Sequence, residues 1–88
     1  MTREDVIERL RFFICNKIVK QPTLSLRDDE PLITGGIMDS MALAYLGVFI
    51  EKEFGVQIPD NELTTEAMDT LGQMADRVQR GARSDGGG

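Results

Sequence analysis

Apolar residues return every three to four positions in three separate stretches of this chain. Nowhere do they alternate long enough to mark a strand, so the chain is expected to bury itself by packing helices on one another. Between Glu4 and about Val19, the side chains Val6, Ile7, Leu10, Phe13, Ile14 and Ile18 share one face of a 3.6-residue wheel. Thr2 is placed to cap this helix with Asp5 at its third position, and Lys17 and Lys20 suit the negative end of its dipole before Pro22 limits its run. Phe12, Cys15 and Val19 add a narrower apolar stripe that the following loop is expected to cover. A second helix is predicted from Asp39, as N-cap, to Phe54, with Gly55 as its stop. Its inner face is Ala42, Leu43, Leu46, Phe49, Ile50 and Phe54; Ser40, Ala44, Val48 and Glu51 point the other way, flanked by Met41 and Tyr45. After the connector Val56-Gln57-Ile58-Pro59, a turn or two of helix is expected within residues 60–68. Thr70 and Gln73 then match a capping box, and Leu71, Met74, Ala75 and Val78 carry a last helix to about Arg80, with Gly81 ending it. The predicted class is all-α: a small four-helix bundle of three main helices and a short third one, filling residues 1–80 as one domain, with residues 81–88 as a disordered tail.

Composition removes whole classes of chemistry. The 88 residues contain no His and one Cys. The usual Cys/His zinc sites, an internal disulfide and Ser-His-Asp or Cys-His catalysis are therefore not available, and no catalytic residue or metal ligand is assigned. Asp28-Asp29-Glu30 lacks the remaining ligand spacing and the turn glycine of an EF-hand and reads as a solvated acidic loop. With 15 Asp and Glu against 10 Lys and Arg, the net charge of -5 disfavours nucleic acid as a partner and leaves basic protein surfaces. The charged start and the short uncharged run from Met41 to Ile50 fit neither a secretory signal nor a membrane span, so a monomeric, soluble, cytoplasmic protein is expected.

Residues 21–38 hold Pro22, Pro31 and Gly35-Gly36 with scattered Leu24, Leu26, Leu32, Ile33 and Ile37, and show no sustained period. A loop this long inside a compact domain is often functional. It ends by delivering Asp39-Ser40 to a helix start. There the Ser40 hydroxyl is expected beside unpaired backbone N–H groups and the positive end of the helix dipole, a setting that favours a phosphate ester on it. Simple capping of the helix by Asp or Ser competes with that reading.

The run Asp39-Ser40-Met41, followed by Leu46, Ile50-Glu51, Glu53-Phe54-Gly55 and Ile58-Pro59-Asp60, resembles the carrier-protein family of acyl, aminoacyl and peptidyl carriers. The resemblance extends over most of residues 4–80, including the long first loop and the short third helix. It implies that a phosphopantetheinyl transferase uses coenzyme A and a divalent metal to attach 4'-phosphopantetheine covalently to Ser40 through a phosphodiester. The thiol of that arm would carry acyl or aminoacyl groups as thioesters, loaded by a ligase, adenylating enzyme or acyltransferase and passed to synthase or tailoring enzymes. The carrier itself would perform no catalysis; Asp39 would aid recognition by the transferase, and Met41 would lie at the contact surface.

This sequence departs from the fatty-acid carriers of that family in ways that bear on its partners. Met41 stands where Leu is commoner, and Gly36 precedes Asp39 by three positions, a variant similar to discrete carriers of specialised metabolism. Ala42, Ala44, Tyr45 and Val48 occupy positions where fatty-acid carriers tend to have acids. Met41, Ala44, Tyr45 and Val48 are accordingly expected to form an apolar docking face, rimmed by Glu51, Asp60 and Glu62. Residues 21–76 carry eleven acidic and two basic residues, so an acidic field would steer partners toward that uncharged patch. The alternative from another class is an unmodified helical adaptor that binds a partner through the same face.

Overall fold

The computed structural model describes residues 1–87, with side chains described from Met1 to Gly81. Three α-helices, α1 (Arg3–Phe13), α2 (Ala42–Phe54) and α3 (Leu71–Gly87), pack into an all-helical bundle, and no strand occurs among the described residues. Val6, Ile7, Leu10 and Ile14 from the first helical stretch meet Leu46 and Ile50 of α2 and Leu71, Met74, Ala75 and Val78 of α3 in one core, which the loops complete with Leu26, Leu32, Val56 and Met68. That set contains most of the three inner faces read from periodicity, while Phe13, Ile18, Phe49 and Phe54, expected on the same faces, are only partly buried and pack against it.

α1 begins with the expected capping box: the Asp5 amide donates to the Thr2 hydroxyl at 3.1 Å, and the Thr2 amide donates to the Asp5 carboxylate at 3.2 Å. These bonds hold the Asp5 carboxyl below its ordinary pKa. After Phe13 the helix widens into a π-turn over Ile14–Ile18, closed by the Val19 amide on the Ile14 carbonyl at 2.8 Å. The Asn16 side-chain amide donates to the Phe12 carbonyl at 2.8 Å, an insertion into the helical ladder at the point where it changes pitch. Lys20, left-handed at φ 61°, then ends the helix, with the Gln21 amide reaching back to the Cys15 carbonyl at 2.7 Å. The loop covers Cys15, whose thiol is within 3.5 Å of the Leu24 carbonyl and is pushed up in pKa by burial. It does not cover Phe12, which stays 64% exposed.

α2 starts three residues later than Asp39. Its approach is a run of tighter turns, with the amides of Ala42, Leu43 and Ala44 donating to the carbonyls three residues back at 3.1–3.2 Å. Asp39 caps these turns rather than the helix proper. Gly55, at φ 71°, closes α2 as expected.

The short third helix is reduced to two separate turns, a 3₁₀ turn at Asp60–Glu62 and a single turn closed by the Met68 amide on the Thr64 carbonyl at 2.9 Å. A segment this short, with β-branched Thr64-Thr65 at its centre, does not offset the cost of helix nucleation. α3 opens on the Thr70/Gln73 capping box, with reciprocal bonds of 3.0 Å. It runs through Gly81. That glycine is a packing contact instead of a stop: a β-carbon there would collide with the Val56 side chain. The remainder of the expected tail, residues 82–88, lies outside the described side chains.

Candidate functional site

The turn that carries Ser40 is fixed from both sides. Behind it, the Leu32 carbonyl accepts from the amides of both Ile37 (2.9 Å) and Met38 (3.0 Å), and the Gly36 amide closes on the Ile33 carbonyl at 3.1 Å. Gly36 sits at φ 81°, where an L side chain is disfavoured. The resulting loop is clamped to the start of α3 by Asp69: its Oδ1 accepts from the amides of Ile33 (2.7 Å) and Thr34 (3.1 Å), its Oδ2 from the Thr34 hydroxyl (2.6 Å), and its carbonyl from the Leu32 amide (2.8 Å). Burial raises the pKa of this carboxyl, but the bonds from Thr34, Ile33 and Leu32 together outweigh it and hold the group below the ordinary value.

In front of the turn, Asp39 Oδ1 accepts from the Met41 amide at 3.0 Å. The amides of Met41, Ala42, Leu43 and Ala44 all have partners, so the four N–H groups that follow Ser40 are not the unpaired ones expected beside it. What the turn does provide is exposure: Ser40 is solvent-accessible, and its hydroxyl has no hydrogen bond among the described residues. The dipole of α2 favours negative charge at this end of the helix.

The side chains expected at a contact surface emerge together. Met41, Tyr45 and Val48 are 71, 64 and 56% exposed, and Ala44 and Glu51 lie with them on the outward face of α2. The first loop leaves this face open. Leu63 packs on α2 at Gly47, where a β-carbon would come within 2.9 Å of it, so the Asp60–Glu62 turn flanks the same side of the helix. Asp60 is exposed there, whereas Glu62 is paired with Arg77 at 2.6 Å. The acids of the first loop also have partners within the fold: Asp28 with Arg11 at 2.8 Å and Asp29 with Arg27 at 3.4 Å.

Two features were absent from the sequence reading. One is the Asp69 clamp, for which the only local sign was an acid preceding the Thr70 cap. The other is an open, mainly apolar groove of about 1330 Å³ between the end of the first helix, the loop and α2. Asp39 and Met41, the two neighbours of Ser40, both line it. The Phe13 and Phe49 rings stack along it at 4.1 Å between centroids, 12° from parallel.

The bundle thus holds an exposed serine at a clamped turn beside an exposed apolar helix face. The family model for the phosphopantetheine attachment site matches residues 13–78, and the chain belongs to that family, the acyl carrier proteins. Its prosthetic group is covalently attached 4'-phosphopantetheine, and it is a phosphopantetheine-carrying carrier protein. Members of the family are generally non-catalytic and typically interact with phosphopantetheinyl transferases and biosynthetic enzymes. No curated protein matched the chain. Among the described residues, no helix is long and apolar enough to cross a membrane.

Proposed function

We propose that Ser40 is the attachment residue and that the chain carries acyl or aminoacyl intermediates as thioesters on the arm, for enzymes of a specialised biosynthetic pathway of the fatty-acid-like, polyketide or nonribosomal-peptide kind. The observation that carries this reading is the position of Ser40: exposed, without an internal hydrogen bond, and held at the start of α2 by a loop that is itself clamped. With no His in the chain, no neighbouring imidazole is available to activate the hydroxyl, which fits modification by another enzyme. Asp39 orders the turn through the Met41 amide, so it shapes the surface the transferase meets. Met41, Ala44, Tyr45 and Val48 form the docking face, with Glu51 and Asp60 as its acidic rim; Glu62 acts mainly through its pairing with Arg77. The chain is loaded and served by other enzymes and performs no chemistry of its own.

Incubation with coenzyme A, Mg²⁺ and a broad-specificity phosphopantetheinyl transferase, followed by intact mass measurement, tests the assignment. One added phosphopantetheine unit, lost in Ser40→Ala, supports it. An unchanged mass would favour the adaptor reading, in which the exposed α2 face alone binds a partner.

A further inference from the structure

Gly47 stands in the middle of α2, and only proline is less favourable than glycine in a helix interior. The missing side chain leaves a notch. A β-carbon built there would lie 2.9 Å from Leu63 Cδ1 and 3.6 Å from Cδ2, so Leu63 seats where any other residue at position 47 would stand. Ala44 and Glu51, three residues before Gly47 and four after it, are its neighbours on the helix surface, and both lie on the outward face of α2. Leu63 therefore brings its own segment against the edge of that face. The segment runs between buried Ile58 and buried Met68, and its turn is shaped locally: the Glu62 amide donates to the Pro59 carbonyl at 2.9 Å and the Leu63 amide to the Asp60 carbonyl at 3.1 Å. These bonds do not attach the turn to a helix. Two side-chain contacts do so, Leu63 at Gly47 and Glu62 with Arg77 at 2.6 Å.

We infer that Gly47 and Leu63 are positioning residues for docking: the notch fixes the Asp60–Glu62 turn, and with it the exposed Asp60 carboxylate, beside the face that partner enzymes meet. The inference rests on the docking face proposed above. A surface built from two segments is only as definite as the distance between them, and a single 3₁₀ turn has little rigidity of its own. With Leu63 seated, the Asp60 charge stands at one place next to the apolar patch and steers a basic partner surface onto it. With Leu63 unseated, a partner has to order the turn as it binds, which weakens docking and leaves the chemistry at Ser40 untouched. The signature is a rise in KM with kcat kept. Filling the notch with leucine cannot act through a weaker helix, because leucine favours the helix more than glycine does.

The test measures phosphopantetheine attachment by a broad-specificity transferase, with coenzyme A and Mg²⁺, on the whole chain as wild type, Gly47→Leu, Leu63→Ala and the double variant. The double variant moves the leucine side chain across the contact. Each single variant should raise KM by about threefold or more with kcat within about twofold of wild type, and should shift the ¹⁵N–¹H amide signals of Asp60 and Asn61. In the double variant KM should return to within about twofold of wild type, and the two amides should move back toward their wild-type positions. Single variants with wild-type KM would overturn the inference. So would a double variant no better than Gly47→Leu, because a leucine that obstructs the partner directly is not relieved by a change at position 63. Tyr45→Ala, measured alongside, separates this role from the docking face itself. A raised KM in Tyr45→Ala with wild-type KM in Gly47→Leu and Leu63→Ala would keep the face and remove the positioning role; wild-type KM in all of these variants would overturn both.

Discussion

The hydroxyl of Thr34 donates to Oδ2 of Asp69 at 2.6 Å, across 35 positions of sequence. Together with the bonds from the Ile33 and Thr34 amides to Oδ1, it ties the Gly35-Gly36 loop to the start of α3. Because hydrogen bonds to a charged group contribute about 1.5–3 kcal/mol, Asp69→Ala should lower unfolding stability by about 2–3 kcal/mol, and Thr34→Val by about 1 kcal/mol. Urea titrations of the three proteins measure both. Asp69→Ala should also slow modification of Ser40, since the turn that presents it loses its anchor.

The same carboxyl sets a pH dependence. Its folded pKa is held below the unfolded value of 3.8, so its contribution is present above that value and is lost as pH falls through the folded pKa. The stability difference between wild type and Asp69→Ala should therefore be flat from pH 5 to 7 and shrink below pH 4. Denaturant midpoints of the two proteins at each pH check the sign. Asp5, also held low, titrates in the same window and is common to both proteins.

Gly36 has open space around its α-carbon and a φ of 81°, so the cost of Gly36→Ala is conformational and not steric. A loss of about 1–2 kcal/mol is expected. Gly81 is the opposite case. Gly81→Ala drives a methyl into Val56 and should cost about 1–3 kcal/mol, with a smaller cost in a Val56→Ala background. A thermal-melt double-mutant cycle that showed no coupling would contradict the contact.

Tyr45→Ala and Val48→Asp alter exposed positions and should leave stability within about 0.5 kcal/mol of wild type. Each should nevertheless reduce kcat/KM for the cognate loading enzyme by fivefold or more, because they remove apolar area from the docking face. Unchanged transfer kinetics would remove that role from α2.

What the sequence made legible was local. The Thr2/Asp5 and Thr70/Gln73 boxes join residues three apart, and the buried sides of the helices follow from a fixed period, so both could be read without knowing the fold. The start of α2 was misplaced because Asp39 bonds the amide two residues ahead, making a turn where a helix cap was expected. Gly81 looked like a stop because its partner, Val56, is distant in sequence. The Asp69 clamp shares that cause, since it joins the first loop to the start of a helix that the loop does not adjoin in sequence; the groove lies between neighbours in sequence, but its shape depends on how far apart the first helix and α2 are held.

The central claim, that Ser40 bears the arm, is tested most directly by site mapping. Cleavage after Arg27 and Lys52 releases residues 28–52, in which Ser40 is the only serine and Thr34 and Tyr45 are the other hydroxyl side chains. After treatment with coenzyme A and a phosphopantetheinyl transferase, fragmentation of that peptide should place one phosphopantetheine on Ser40. An unmodified peptide, or a modification mapped to another residue, would contradict the account.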